Sequence, residues 1–304
     1  MENLKFDAII IGGGPAGITA GIYLRRAGKN VALLEGEMFG GQVATTSLVE
    51  NYPGVGAIDG ASLALNMAAD LRKSGATIIS ENAVKVDLDG EIKKVETKNY
   101  CLTAKAVVLA MGVRPRQINS TLEKKFAGRG VSYCATCDGA LYRNKPVCVI
   151  GGGNSAFIDA KYLAGVAGSV TLVHRSEKYR VSDNVKTEAE KLGVKFLPNF
   201  CLTDLIGDNH LEKVLLKNVL TGEIKEIEAN GLFIAAGRVP NTELVAGILD
   251  LDDIGYIKST DCKTSIDGVF VCGDIRTKEL RQIVTATSDG AVCATLATMF
   301  LNKR

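Results

Sequence analysis

A chain of 304 residues has room for roughly two domains at about 150 residues each, and its 46% apolar content supplies packed cores. Charge is nearly balanced, 36 Lys and Arg against 34 Asp and Glu, which removes any bulk electrostatic argument for nucleic acid or an anionic membrane as partner. Six prolines and the absence of low-complexity runs argue against long disordered segments.

The opening residues pass almost directly into the apolar run Ala8 to Ile11, with no basic region, long apolar segment or small-residue cleavage site. A secretory signal is therefore not expected. Nor is an apolar stretch of the roughly 20 residues that a membrane helix needs. A cytoplasmic location follows.

Phe6 to Ile11 reads as a buried parallel strand. The turn Gly12-Gly13-Gly14-Pro15-Ala16-Gly17 follows it, then a helical pattern to Ala27, then a second strand, Asn30 to Leu34, that ends in Glu35. Strand, glycine turn, helix and an acid about 20 residues on form a dinucleotide fingerprint. The diphosphate sits at the helix N-terminus, and the carboxylate takes a ribose hydroxyl.

The loop from Glu35 through Gly40-Gly41-Gln42 to Glu50-Asn51-Tyr52-Pro53-Gly54 reads equally as a surface loop or as backbone wrapped around a large cofactor. Ala61 to Ser74 is an amphipathic helix, and β-like segments then lead to the strand Ala106 to Ala110. Gly112-Val113-Arg114-Pro115 reads as a domain crossing.

The same signature recurs downstream. Pro146 to Ile150 is a strand, Gly151-Gly152-Gly153-Asn154-Ser155-Ala156 the turn, Ala156 to Ala164 the helix and Ser169 to Val173 the next strand. In place of an acid, this strand ends in His174-Arg175-Ser176-Glu177-Lys178-Tyr179-Arg180. A carboxylate suits a 2′-hydroxyl, whereas arginine accommodates a 2′-phosphate. The first turn therefore reads as an FAD or NAD site and the second as an NADP site, with a solvated basic turn as the bland alternative. His174 belongs to this turn rather than to a catalytic base, and His210 reads as a hairpin residue.

Leu109 to Pro115 and Ile234 to Pro240 close the two units with similar strand-turn patterns. The tail, with strand Val269 to Cys272, Gly273-Asp274, Arg281-Gln282 and a helical pattern to Leu301, is too small for a third domain. It is expected to return and complete the first. The fold class is α/β, two Rossmann-like three-layer nucleotide-binding domains with the second inserted into the first. The expected spans are 1–114 with 242–304, and 115–241.

Eight cysteines are scattered at 101, 134, 137, 148, 201, 262, 272 and 293. Cys148 and Cys272 lie in strand patterns and read as buried, inert thiols. Only Cys134 and Cys137 are close in sequence. Three positions apart at a helix start, their side chains come within about 5–6 Å, close enough for a disulfide after small adjustment. A lone Cys-x-x-Cys pair, without further Cys or His nearby, does not complete a four-ligand zinc site, so no metal is expected. A dithiol between two dinucleotide turns points to electrons passing from one cofactor to another and on to a disulfide.

Over essentially its full length the chain resembles the low-molecular-weight bacterial thioredoxin reductases. The matching motifs are Gly12-x-Gly14-x-x-Gly17, Gly40-Gly41-Gln42, Glu50 to Gly54, Cys134-Ala-Thr-Cys137-Asp138, Gly151-x-Gly153-x-x-Ala156 and Gly273-Asp274 followed by Arg281-Gln282. The resemblance implies that FAD occupies the first domain through Gly12, Gly14, Pro15, Ala16, Gly17, Glu35, Gly41, Gln42, Asn51, Val84, Gly273, Asp274, Arg281 and Gln282. It implies that NADPH uses Gly151, Gly153, Asn154, Ser155, Ala156, His174, Arg175 and Arg180.

It also implies a homodimer, thioredoxin as substrate, Cys137 facing the flavin, Cys134 attacking the thioredoxin disulfide and Asp138 as general acid/base. A swivel about the two crossings, near Gly112 to Pro115 and Gly237 to Asn241, would bring the nicotinamide and the dithiol to one flavin in turn. One departure concerns the donor. The family's His-Arg-Arg-x-x-x-Arg motif carries Ser176 at its middle arginine, which leaves NADH and ferredoxin as alternative donors. A flavin-dependent dithiol oxidase and a non-enzymatic redox sensor are the competing function classes.

Overall fold

The computed structural model describes residues 2–46 and 48–303; Met1, Ser47 and Arg304, inside the expected domain spans, lie outside the described residues. The chain divides into two compact units, Met1–Arg114 with Val239–Arg304, and Pro115–Arg238. The return crossing thus falls at Arg238/Val239 rather than after 241. The segment that makes it, Arg238–Pro240, is already strand, paired with Val113–Pro115 of the outward crossing.

Seven α-helices are described: α1 (Pro15–Arg26), α2 (Gly60–Lys73), α3 (Ser120–Lys125), α4 (Ala135–Asp138), α5 (Asn154–Ala164), α6 (Asp183–Lys191) and α7 (Ile283–Asn302). Local chemistry sets their ends. Pro15 opens α1, where its missing N–H costs nothing and its φ is already helical. The Asp59 side chain caps α2 by accepting from the Ser62 N–H at 2.8 Å.

The first unit is built on a five-stranded parallel sheet in the order Val269–Val271, Ala106–Leu109, Ala8–Ile11, Val31–Leu34, Thr77–Ile79. Its three central strands are buried at every position, as expected of strands covered on both faces. Side chains alternate between those faces. Ala8, Ile10, Leu33 and Val108 pack with α1 and α7, while Ile9, Ile11, Leu34 and Leu109 pack with Val95 and Leu102. The latter belong to a four-stranded sheet of Glu2–Lys5, Tyr100–Ala104, Lys93–Glu96 and Lys85–Asp87. Helices, parallel sheet and outer sheet make three layers.

The second unit repeats this plan. Its parallel sheet runs Val131–Ser132, Gly231–Ile234, Pro146–Ile150, Ser169–His174, Lys195–Pro198. Val147, Val149 and Leu172 pack on α5 and α6, and Cys148, Ile150 and Val173 on an antiparallel sheet of Phe200–Ile206, Lys213–Asn218 and Ile224–Glu228. His210 falls in the connection between the first two of those strands, the hairpin position expected for it.

Helix α7 corrects one expectation. At 20 residues with mean hydropathy 1.3, it is long and apolar enough to cross a membrane. Its composition has a packing reason. A Cβ on Gly290 would fall 2.3 Å from the Ala16 carbonyl oxygen of α1, so the two helices touch backbone to backbone. Ala286, Cys293, Ala294 and Ala297 continue that buried stripe, and a buried carboxylate, Asp289, sits in its middle.

Candidate functional site

In the first unit the Gly12–Gly17 turn is closed by contacts that only glycine permits. A Cβ on Gly17 would lie 1.9 Å from the Gly12 carbonyl oxygen, and one on Gly12, whose φ is 110°, would lie 2.4 Å from that of Ala110. Gly14 differs: nothing stands within 4 Å of its Cβ position. It is the N-cap of α1 and offers no side-chain cap, so the helix amides open onto free space.

Glu35 is fixed beside them. Its carboxylate accepts from the Gly13 N–H at 2.7 Å and the Glu37 N–H at 2.9 Å. The Gly40–Gly41 segment closes on the same turn, with Gly40 N–H donating to Gly13 O at 2.8 Å and the Gly41 Cβ position 3.7 Å from Gly14 Cα. Gln42 reaches the Val113 carbonyl at 2.9 Å.

The tail supplies the other wall. Gly273, at φ 77°, lies against Ala16. Arg281 stacks on Tyr256 at 4.1 Å and donates to the Asp274 carbonyl at 3.3 Å. Gln282 caps α7 through a capping box with Thr285 and accepts from Asn51 Nδ2 at 3.2 Å. Within residues 35–54, Glu35, Gly40 to Gln42 and Asn51 thus meet the turn, the Val113 carbonyl and the tail. Open amides, a held carboxylate and backbone packed too closely for any Cβ fit a dinucleotide flavin. Val84 stands apart: its side chain is 63% exposed, two residues beyond Asn82, which packs on Gly36.

Sequence reasoning missed what holds this wall. Asp289 accepts from Arg276 at 2.7 and 2.8 Å, from Lys278 at 2.8 Å and from the Gly273 N–H at 3.1 Å. Burial alone pushes its carboxyl up, but the two cations outweigh this and hold it below the usual range. The available signal was one acid inside a 20-residue apolar helix pattern. Three buried thiols, Cys262, Cys272 and Cys293, gather beside it.

In the second unit, a Cβ on Gly151 would meet the Ala235 carbonyl at 2.6 Å, and one on Gly152 would enter the His174 ring at 2.3 Å. Gly153 is the uncapped N-cap of α5, followed by exposed Asn154 and Ser155 and by fully buried Ala156. Arg180 returns to this turn, its N–H donating to the Gly152 carbonyl at 2.6 Å and its guanidinium 3.9 Å from the Gly153 Cβ position. His174, 9% exposed, pairs with the Ser176 hydroxyl at 3.0 Å. Burial, then Arg180 and Arg175, hold its pKa below the ordinary imidazole value. Arg175 is exposed at the end of the strand. Open amides flanked by arginines fit a pyridine nucleotide.

Cys134 and Cys137 form a disulfide with Cα atoms 5.3 Å apart. Cys134 is the N-cap of α4, and both cysteines are partly exposed. Asp138 closes the helix, its Oδ2 accepting from the Ser132 hydroxyl at 2.7 Å, while Ser132 Oγ accepts from the Cys134 N–H at 3.1 Å. Ser132 is thus a buried bridge between the first cysteine and the acid, on a strand too short for a sequence pattern to reveal. One residue earlier than Cys134, Tyr133 donates to the buried Glu123 carboxylate, which also takes the Ile118 and Asn119 N–H groups at 2.6 Å. No cluster of three or more potential metal ligands occurs among the described residues.

Residues 6–290 match the family described as pyridine nucleotide-disulphide oxidoreductase. The chain is 41% identical over 310 residues to a thioredoxin reductase of Peptoclostridium acidaminophilum, covering 99% of this chain and 98% of that protein. It is similar to the crystal structure of thioredoxin reductase from Streptococcus pyogenes MGAS5005, with TM-score 0.90, 37% identity and 100% of each chain covered. It is also similar to a ferredoxin-flavin thioredoxin reductase from Clostridium acetobutylicum, with TM-score 0.55, 29% identity and 100% of each chain covered.

Proposed function

The chain belongs to the pyridine nucleotide-disulphide oxidoreductase family, and from that premise we propose that it is a thioredoxin-disulfide reductase drawing on NADPH, with FAD in the first unit. The observation that carries this is the Cys134–Cys137 disulfide with Asp138 tied to Cys134 through Ser132. When bound, FAD supplies a two-electron relay between a hydride donor and a disulfide.

The chain's own groups then act in order. Reduction opens the disulfide to a dithiol. Cys134, as thiolate, attacks one sulfur of the thioredoxin disulfide, forming a mixed disulfide and expelling the other sulfur, to which Asp138 supplies a proton. Cys137 next attacks the Cys134 sulfur, releasing the second thioredoxin thiol and restoring the Cys134–Cys137 disulfide. Two electrons leave the dithiol and two enter thioredoxin.

Since the NADPH turn and the cysteines share the second unit, rotation about the two crossings lets each reach the flavin. Gly112 at φ 62° and Gly237 at φ 96° leave open space at their Cβ positions. On the first-unit side, Asn241 fastens the crossings to Gly112 O at 3.1 Å and Met111 O at 2.7 Å. Stiffening by Gly112→Ala or Gly237→Ala lowers turnover more than nucleotide affinity; equal losses in both would rule the rotation out.

A homodimer is supported by Val284, Val292 and Met299, which stand exposed along α7. A cytoplasmic location is supported by the six cysteines outside the pair, all free thiols.

Anaerobic bleaching of the flavin tests the donor. Rapid bleaching by NADPH, followed by reduction of thioredoxin, is the expected outcome. Bleaching by reduced ferredoxin alone would transfer the chain to the ferredoxin-linked class, a reading favoured by Ser176 and by the Clostridium acetobutylicum neighbour.

A further inference from the structure

The two residues between the cysteines face opposite ways. Ala135 is buried and anchors α4, whereas Thr136 is exposed on the solvent side, from which an incoming disulfide approaches. The main chain of Cys134 is held at both ends. Its N–H donates to Ser132 Oγ at 3.1 Å, and its carbonyl accepts from the Asp138 N–H at 3.1 Å. Beside the side chain, Thr136 Oγ1 lies 3.5 Å from the Cys134 sulfur. A disulfide sulfur carries no proton, so the hydroxyl is the donor in this contact.

The neighbouring hydroxyls are committed elsewhere. That of Ser132 is given to Asp138 Oδ2 at 2.7 Å, and that of Tyr133 to Glu123, which also holds two amides. Two phenols flank the C-terminal end of α4, Tyr142 within electrostatic reach of Asp138 and Tyr162 against Gly139. Helix α4 spans only Ala135–Asp138, so few peptide dipoles align behind its start and their pull on a thiolate there is weak. A side-chain donor at the sulfur therefore counts for more. Hydrogen bonding to a charged form favours that form, and the thiolate is the nucleophile.

We infer that Thr136 is a further catalytic residue: once the disulfide is reduced, its hydroxyl donates a hydrogen bond to the Cys134 thiolate and so prepares that sulfur for attack on the incoming disulfide. The inference rests on the dithiol acting on thioredoxin, and deepens that reading by naming the group that readies the attacking atom. Thr136 transfers no proton. The Cys134 sulfur enters as a thiolate and becomes one half of a neutral mixed disulfide. The expelled sulfur takes the electron pair of the broken S–S bond and its proton from Asp138, and the Thr136 hydroxyl keeps its own. A donor that stabilises a thiolate also tempers it, because intrinsic nucleophilicity falls with the basicity of the sulfur. Removing the hydroxyl should therefore have opposite effects at the two ends of the pH range.

Alkylation of Cys134 tests this without requiring turnover. The full-length flavoprotein is reduced with dithiothreitol, freed of it anaerobically and treated with iodoacetamide across a pH series, and the label at residue 134 is quantified by fragment mass spectrometry. Thr136→Val keeps the shape of the side chain and removes the hydroxyl. It moves the midpoint of the profile up by about one pH unit, the scale of one hydrogen bond to a charged group. The rate on the acid limb then falls about threefold, from about tenfold less thiolate that is about threefold more nucleophilic, and the alkaline plateau rises about threefold. Thr136→Ser, which retains a hydroxyl, follows the parent. A Thr136→Val profile that coincides with the parent's overturns the inference, and so does an equal loss at every pH, which would mark a packing role. Thioredoxin reduction by the parent, measured alongside, separates the two readings. Its absence with the crossover intact removes the substrate, whereas its presence with coincident profiles removes the role of Thr136.

Discussion

The chain uses one backbone device twice and gives it opposite charge. In the first turn a carboxylate, Glu35, accepts amide protons from Gly13 and Glu37 and stands beside open helix amides. In the second, the corresponding strand ends in a buried imidazole, and the polar return is an amide donated by Arg180 to the Gly152 carbonyl. Glycines are required at both turns by close backbone contacts. What each turn recognises is set by residues about 20 positions downstream. The supports differ as well. The first turn leans on a helix from the far end of the chain, whereas the second leans on the aromatic cluster of Phe157, Tyr179 and Phe196 within its own unit.

The sharpest separation of the two regions comes from the Cys134–Cys137 pair, which belongs to only one of them. Cys134→Ser or Cys137→Ser abolishes thioredoxin reduction, while NADPH still bleaches the flavin in an anaerobic stopped-flow trace. Residual thioredoxin turnover in either variant would remove the pair from the electron path.

Glycine replacements rank the turns next. Gly17→Ala forces a Cβ to within 1.9 Å of a backbone oxygen that cannot swing away, and destabilises the first unit by about 3 kcal/mol. Gly152→Ala meets a side chain, His174, that can tilt, so its cost is smaller. Gly14→Ala and Gly153→Ala meet almost nothing, leaving stability intact and lowering ligand affinity instead. Urea unfolding and flavin retention on the four variants check the order. Equal unfolding midpoints for Gly17→Ala and Gly14→Ala would show that the first turn relaxes freely.

Asp289 tests the support of the first turn. Its carboxylate and the Lys278 amine are each more than nine-tenths buried at the side chain, and Arg276 is little more exposed. Asp289→Asn strands two cations and costs about 3 kcal/mol, with loss of flavin because Gly273 is released. The carboxyl's pKa is depressed in the folded chain. Its contribution is therefore present above the ordinary aspartate range and lost as pH falls through the folded value. The parent protein should release flavin in acid, and the variant should have lost that acid sensitivity already at neutral pH.

Much of this was legible because it is local. Strand, glycine turn and helix follow one another within about 20 residues, and a cysteine pair three apart advertises its own geometry. The layers followed from runs such as Ala8–Ile11 and Val147–Ile150, whose apolar continuity requires cover on both faces. What escaped was tertiary. Ser132 matters only because a two-residue strand delivers it to Asp138, and Asp289 only because α7 returns to α1. A span-length helix went unnoticed since Thr, Ser and Asp interrupt its apolar residues, while Gly290 and its buried alanines serve close packing on α1. Val84, taken from family likeness, presents an exposed side chain while its backbone N–H donates to the Glu96 carbonyl at 2.8 Å.

The smallest expected effect distinguishes the helices that begin at the two turns. Helix α1 contains no acid, whereas α5 carries Asp159 one turn in. Burial pushes the Asp159 carboxyl up to about 6, against an opposing pull from Arg238. The sign is that of a group raised on folding. No penalty exists below the unfolded value of 3.8, and stability is lost as pH rises toward 6, where the buried carboxyl must ionise. Asp159→Asn should therefore stabilise the second unit by about 2 kcal/mol at neutral pH and leave it unchanged near pH 4. Unfolding of the first unit should show no such slope from its own turn helix. Urea denaturation of parent and variant between those pH values decides the matter. Parallel curves would mean that Arg238 fully compensates the ionised carboxylate.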